Sequence, residues 1–266
     1  MSWKWEELTA HEFPAAVARA SYTCLLPLGV LEKHGEHLPL GTDLLNVEAL
    51  AERAAAIEPV VVFPRYFFTQ IQEARHWPGT IAVSHDTLFR LLDEVCGEIA
   101  RNGFRKIVLL NGHGGNESFL SYFCMYLLQR PRGHSTYLIG LSDYTGKIRE
   151  DAEWRRMMVS AFDHHGGEAE TSLTMAVRPD LVKLEHATNE AVSQDRLKHL
   201  PPQGSPLWWY ARYPDHYAGD ARPATADKGR YLLDHFVAEV ARLLSAIKED
   251  TVAPALEKEF FSRVKH

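Results

Sequence analysis

The sequence predicts an α/β fold, and three observations carry the prediction. Short apolar runs (residues 22–30, 60–63, 106–110 and 136–140) alternate along the chain with longer helical patterns. The runs are apolar throughout, as strands buried on both faces are. Ligand-type residues crowd directly behind the first and third runs, where open parallel sheets bind their ligands. At 266 residues the length suits one large α/β domain or two small ones, and 45% hydrophobic content is ample for a core.

In chain order, residues 11–20 read as a short amphipathic helix leading into the strand Tyr22-Thr-Cys-Leu-Leu-Pro-Leu-Gly-Val30. Next comes Leu31-Glu-Lys-His-Gly-Glu-His-Leu-Pro-Leu-Gly-Thr-Asp43, which places Glu32, His34, Glu36, His37 and Asp43 within thirteen positions. A strand running on through Leu31 would point Glu32 and His34 the same way, because side chains alternate along a strand. Asp43 opens a helical pattern over 43–57 and falls in its first turn, where an acidic residue also serves as a cap. Imidazoles mixed with carboxylates suit zinc, manganese or iron.

Residues 60–63 form a second strand, closed by Pro64. Residues 65–80, with Tyr66, Phe67, Phe68, His76 and Trp77, read as a loop that either walls a pocket or, as aromatics more often do, packs into the core. A helix follows from Ser84 to Asn102, stopped by Gly103. The third strand, 106–110, runs into Asn111-Gly-His-Gly-Gly-Asn-Glu117 and a helix over 118–129. This turn should share a rim with the Glu32 loop, which makes His113 a ligand candidate. A phosphate cradle is the rival reading, but the turn lacks a Lys-Ser/Thr ending and the Gly-x-Gly-x-x-Gly spacing.

After a fourth strand at 136–140 and a polar helical stretch around 150–159 comes Asp163-His-His-Gly-Gly-Glu-Ala-Glu-Thr-Ser172. Glu168 and Glu170 lie at a helix start, where carboxylates also compensate the dipole. His165 sits in a glycine-flanked loop able to bring it close to a substrate, and His164 reads as structural. Residues 178–223 lose periodicity while gathering Trp208, Trp209, Tyr210, Tyr213 and Tyr217, the composition of a subunit interface or a pocket lid. A final amphipathic helix spans 224–249, and 250–266 reads as a peripheral tail.

Composition narrows the function. With 29 Lys+Arg against 35 Asp+Glu the net charge is −6, and no basic stripe offers a nucleic-acid footprint. No apolar run is long enough to span a bilayer and no signal-peptide pattern opens the chain, so a cytoplasmic protein is expected. Three cysteines in apolar settings point to free thiols.

Taken together, the clusters resemble the creatininase family of metal-dependent amidohydrolases. The matching pieces are Gly29-Val-Leu-Glu-Lys-His-Gly-Glu-His-Leu-Pro-Leu-Gly-Thr-Asp43, Trp77-Pro-Gly-Thr-Ile81, Asn111-Gly-His-Gly-Gly-Asn116 and His165-Gly-Gly-Glu-Ala-Glu-Thr-Ser172, in the family's order. Ala224-Thr-Ala-Asp-Lys-Gly229 is a weaker match, and the resemblance spans residues 26–229. It implies a three-layer α/β/α fold with a mostly parallel sheet, a single domain over 1–266 with its core at about 20–250, and a homohexamer. It also implies two divalent metal ions, zinc and/or manganese with iron as a further option. By position, Glu32, His34 and His113 would be terminal ligands, Asp43 a bridge, and His165 the catalytic histidine.

The chain departs from the pattern at Gly115, where creatinine-hydrolysing members carry a glutamate. The missing carboxylate must come from elsewhere, with Glu170 the first candidate and Glu168 behind it. Creatininase proper also has a tryptophan just before its catalytic histidine, and Ala161 and Phe162 supply none. Both departures point away from creatinine, and the family also holds formamide deformylases and peptide-trimming amidases. The expectation is therefore hydrolysis of a non-peptide or cyclic C–N amide bond in a small molecule, with His165 or a carboxylate such as Glu168 passing the proton to the leaving nitrogen. The Gly114-Gly115 turn would hold the oxyanion. Two rivals from other classes are an isomerase or lyase on the same metals and a non-catalytic small-molecule binder.

Overall fold

The apolar runs become four parallel strands in the computed structural model, which describes residues 2–188 and 192–264. The ends of the expected 1–266 domain, and residues 189–191 of the long aperiodic segment, lie outside the described residues. The strands are β1 (Thr23–Leu28), β2 (Val61–Val62), β3 (Lys106–Asn111) and β4 (Ser135–Ile139), in the spatial order β2-β1-β3-β4. The helices are α1 (Phe13–Arg19), α2 (Thr42–Ile57), α3 (His85–Arg101), α4 (Asn116–Tyr126), α5 (Leu141–Thr145), α6 (Ala152–Met157), α7 (Glu168–Val177), α8 (Trp208–Arg212), α9 (Ala226–Glu249) and α10 (Val252–Arg263).

Alternation along each strand serves two faces at once. Leu25, Val108 and Leu110 pack with Val47, Leu50 and Ala51 of α2 and with Leu233, Val237 and Leu244 of α9. Cys24, Leu26, Leu28, Ile107 and Leu109 pack with Val17 of α1, Leu88 and Ile99 of α3, and Leu120 and Phe123 of α4. The result is the three-layer α/β/α architecture, and each fully buried leucine contributes roughly 1.5–3 kcal/mol of transfer free energy.

One expectation is corrected and another is filled in. β1 stops at Leu28 and does not run through Leu31, because the Gly29 N–H donates to Tyr66 O and a Cβ on Gly29 would lie 2.8 Å from Leu44 N. Glu32 and His34 therefore leave the sheet on a loop. The tail also proves to be helical: the Asp250 carboxylate accepts from Val252 N–H and Ala253 N–H to start α10, which Ser135 and Tyr137 tie to β4 through Glu257 and Asp250.

Candidate metal centre

Leu28 and Asn111 pair across β1 and β3, so both strands finish level and their two loops leave the sheet side by side. The Gly112 N–H donates to Leu28 O, and a Cβ on Gly112 would lie 2.5 Å from Val47 Cβ, so only glycine lets this turn pass α2. The His113 N–H donates to Asn111 Oδ1, and Asn116 reaches across to Thr69, whose hydroxyl donates to Gly29 O. Asp43 enters from the first turn of α2, and Glu170 from the first turn of α7.

These segments converge on one point. Glu32 Oε1 lies 2.8 Å from His113 Nδ1, which is 3.0 Å from Asp43 Oδ2. The other oxygen of Asp43 lies 3.2 Å from His34 Nε2, which in turn is 3.4 Å from Glu170 Oε1. Two donor triads result, Glu32–Asp43–His113 and His34–Asp43–Glu170, each with its ligand atoms within 4.8 Å of one another and Asp43 common to both. A third grouping, Glu32–His34–His165, sits between them.

The donors fit divalent cations. Glu32 and Asp43 are at most 3% exposed, and no Lys or Arg pairs with Glu32, Asp43 or Glu170 among the described residues. Glu32 Oε1 and Asp43 Oδ2 are buried without a hydrogen bond. Carboxylates buried this way are costly unless a positive charge joins them. Without metal, imidazolium supplies it. Burial pushes His34 and His113 down, but Glu170 and Asp43 beside the one, and Glu32 and Asp43 beside the other, raise both well above 6.5. Asp43 responds in the opposite sense: burial raises its carboxyl, and the two imidazoles outweigh this and hold it far below the usual range.

His165 is placed differently. Its Nε2 lies 2.8 Å from Lys33 O, and since a carbonyl only accepts, Nε2 carries the hydrogen and Nδ1 keeps a lone pair. Burial, with the His34 charge stacked 4.3 Å away, lowers its pKa to about 4. Glu168 does not join the cluster: its buried carboxylate accepts from Val159 N–H and Ser160 N–H and pairs with Lys228 Nζ. His37 also lies apart, its Nε2 bonded to the Thr171 hydroxyl, which donates to Gly166 O.

One member was not foreseen. His216, from the aromatic segment, is 1% exposed and its Nε2 meets Glu32 Oε2. Its only signal in the sequence is a histidine set among Tyr213, Asp215 and Tyr217. The same segment brings Trp209 and Tyr210 to a cavity of about 1770 Å³ that Glu73, His76, His113 and His165 also line.

A parallel α/β/α sheet whose C-terminal rim gathers buried carboxylates and imidazoles around a shared aspartate has the donor set of a metal-dependent enzyme. The family model described as creatinine amidohydrolase matches residues 6–244. The chain belongs to the creatininase family, whose relatives make it a metal-dependent hydrolase. It is 30% identical over 263 residues to a creatinine amidohydrolase of Pseudomonas putida, covering 92% of this chain and 95% of the relative. A mycofactocin precursor peptide peptidase of Mycobacterium tuberculosis shares 30% over 238 residues, covering 84% and 86%. A 3-dehydro-scyllo-inosose hydrolase of Thermotoga maritima shares 25% over 244 residues, covering 85% and 77%. Among solved structures, one described as "Creatininase Mn" superposes with a TM-score of 0.80 at 26% identity, covering 94% of this chain and all of that one. A mutant creatininase of "Zn-Zn type" gives 0.79 at 26% identity, with the same coverage of this chain and 100% of its own.

Proposed function

We propose that the protein hydrolyses a non-peptide or cyclic C–N amide bond in a small molecule at a centre of two divalent cations, zinc and/or manganese. Glu32, His113 and Asp43 would hold one cation, and His34, Glu170 and Asp43 the other. The observation that carries this reading is Asp43, whose two oxygens face different imidazoles. When bound, such a pair supplies a water acidified towards neutrality and a polarised carbonyl. The carboxylate that the Gly115 position lacks comes from Glu170, which stands 3.4 Å from His34, and not from Glu168, which is held by Lys228.

The chain's own groups supply the rest. His165, neutral at pH 7, would take at Nδ1 the proton that the attacking water loses and pass it to the leaving nitrogen, a role typically worth about a hundred- to ten-thousandfold in rate. The hydrogen bond to Lys33 O fixes its ring while it does so. The N–H groups of the Gly114-Gly115 turn, beside His113 on the cavity wall, are the donors proposed for the oxyanion. Trp209 and Tyr210 wall the cavity and offer aromatic faces to a substrate. By family resemblance the working form is a cytoplasmic homohexamer, and the exposed apolar side chains Tyr122, Met125 and Leu256 support an assembly.

The test is Asp43→Ala, with bound metal measured by elemental analysis and hydrolysis followed on lactams, formamides, creatinine and short peptides. The variant should lose both cations and all turnover. Retention of either would sink the centre, and turnover of peptides alone would sink the non-peptide assignment.

A further inference from the structure

Trp209, His216 and Glu32 form a chain of two hydrogen bonds whose direction is set by chemistry. An indole N–H only donates, so His216 Nδ1, 2.8 Å from Trp209 Nε1, must accept. In the neutral ring the hydrogen is then on Nε2, which donates it to Glu32 Oε2. His216 Nε2 has no lone pair left for a cation, so this histidine is not another ligand. It clamps one oxygen of Glu32 and leaves Oε1, which takes no hydrogen bond, facing His113 Nδ1 and Asp43 Oδ2.

The backbone around His216 is held from both sides. Pro214 O accepts from His76 Nε2 at 3.1 Å and from Trp77 Nε1 at 3.2 Å. Ala218 exchanges two backbone hydrogen bonds with His165. His216 itself sits at φ +53°, a left-handed conformation that non-glycine residues rarely adopt. The aromatic segment is thus fastened to the substrate wall at one end, to the His165 loop at the other, and to a candidate ligand in the middle.

We propose that Trp209 and His216 are positioning residues that set the Glu32 carboxylate for the cation shared with Asp43 and His113, so that loading of this one site and docking of residues 206–218 are thermodynamically linked. The inference rests on the two-cation reading above. Outer partners of metal ligands commonly change affinity by about ten- to a hundredfold, and linkage makes the coupling reciprocal.

The experiment titrates metal-stripped wild type, His216→Phe, His216→Gln and Trp209→Phe with zinc against a chromogenic chelator while recording tryptophan emission. Wild type should take two equivalents. His216→Phe should weaken one of them by about ten- to a hundredfold and leave the other unchanged. His216→Gln, whose amide N–H reaches where Nε2–H stands, should recover most of the loss. Trp209→Phe should weaken the same equivalent by less and abolish the change in emission that zinc produces in wild type. The proposal is overturned if His216→Phe binds both equivalents with wild-type affinity, or loses both together with a lower melting temperature of the stripped protein. Wild type that binds no stoichiometric zinc would instead remove the two-cation reading, and this inference with it.

Discussion

Asp43 divides its carboxylate between two imidazoles, and the proton inventory of the centre follows from that. His34 and His113 are raised well above 6.5 by their carboxylate neighbours, so the metal-free protein holds protons there at neutral pH. Loading must expel them. Zinc affinity should therefore climb with pH through the neutral range, and calorimetry in buffers of different ionisation enthalpy should register proton release. An affinity independent of pH would contradict the geometry. Gly115 gives a second test. A Cβ there would lie 2.5 Å from His113 Nε2 and 2.4 Å from Glu73 Oε1; the Glu73 carboxylate can swing away, whereas the buried imidazole cannot. Gly115→Ala should lower kcat/KM by about a hundredfold, the cost of a 1 Å misplacement, with bound metal falling in parallel. At this scale the sequence was legible where chemistry followed a strand: Glu32, His34, Asp43 and His113 stand out by type and spacing. Choosing between Glu168 and Glu170 was beyond it. Two residues along a helix turn a side chain by about 200°, sending one carboxylate to Lys228 and the other to His34, and only packing says which. His216 was hidden because its position depends on a positive φ inside a segment with no period.

Among the elements, α7 and α9 meet at unusually short range. A Cβ on Gly229 of α9 would lie 1.8 Å from Ser172 O and 3.0 Å from Ala176 Cβ, and backbone cannot step aside as a flexible side chain can. Gly229→Ala should cost about 1–3 kcal/mol in chemical denaturation, and because α7 carries Glu170 it should also weaken cation binding. Stability loss with unchanged metal affinity would mean that α7 does not transmit the shift. On the opposite layer, Asp93 of α3 accepts from Arg132 at 2.8 Å and Arg130 at 2.9 Å. Burial raises this carboxyl, but the two guanidinium groups outweigh it and hold it below 3.8. Its stabilisation is present above the unfolded value and disappears as pH falls through the folded one. Asp93→Asn should therefore unfold more readily at pH 7, and its deficit against wild type should shrink as pH falls below the ordinary carboxylate range, read from urea midpoints across pH. The strands were legible because an unbroken apolar run has few alternatives. The end of β1 was not, since it is set by Tyr66 O, a partner 37 residues away from Gly29. α10 escaped because its first N–H groups are held by Asp250, one residue before the N-cap Thr251, and Asp250 resembles a loop residue in isolation.

For the whole molecule, no helix among the described residues is long and apolar enough to cross a membrane. Tyr122 and Met125 on α4, and Val252, Leu256 and Phe260 on α10, leave large apolar side chains in solvent on a single chain. Light scattering coupled to gel filtration should return a hexamer at micromolar concentration, and a monomer would remove that part of the reading. The layered fold itself was legible from alternation and length, whereas nothing in a single chain's pattern encodes how copies meet.

The level ending of β1 and β3 reaches further. The floor of the cavity is anchored to the sheet and to the first turns of α2 and α7, while its sides are drawn from residues 65–80 and 206–218, which carry no strand paired in register. The side chains of those walls that hold nothing in the floor can be rewritten while the reactive floor stays where the ladder puts it. A designer seeking a new acceptance profile would leave the rim untouched and randomise the walls, sparing Tyr66, Thr69, His76, Trp77, Trp209, Pro214 and His216, which fasten them to it.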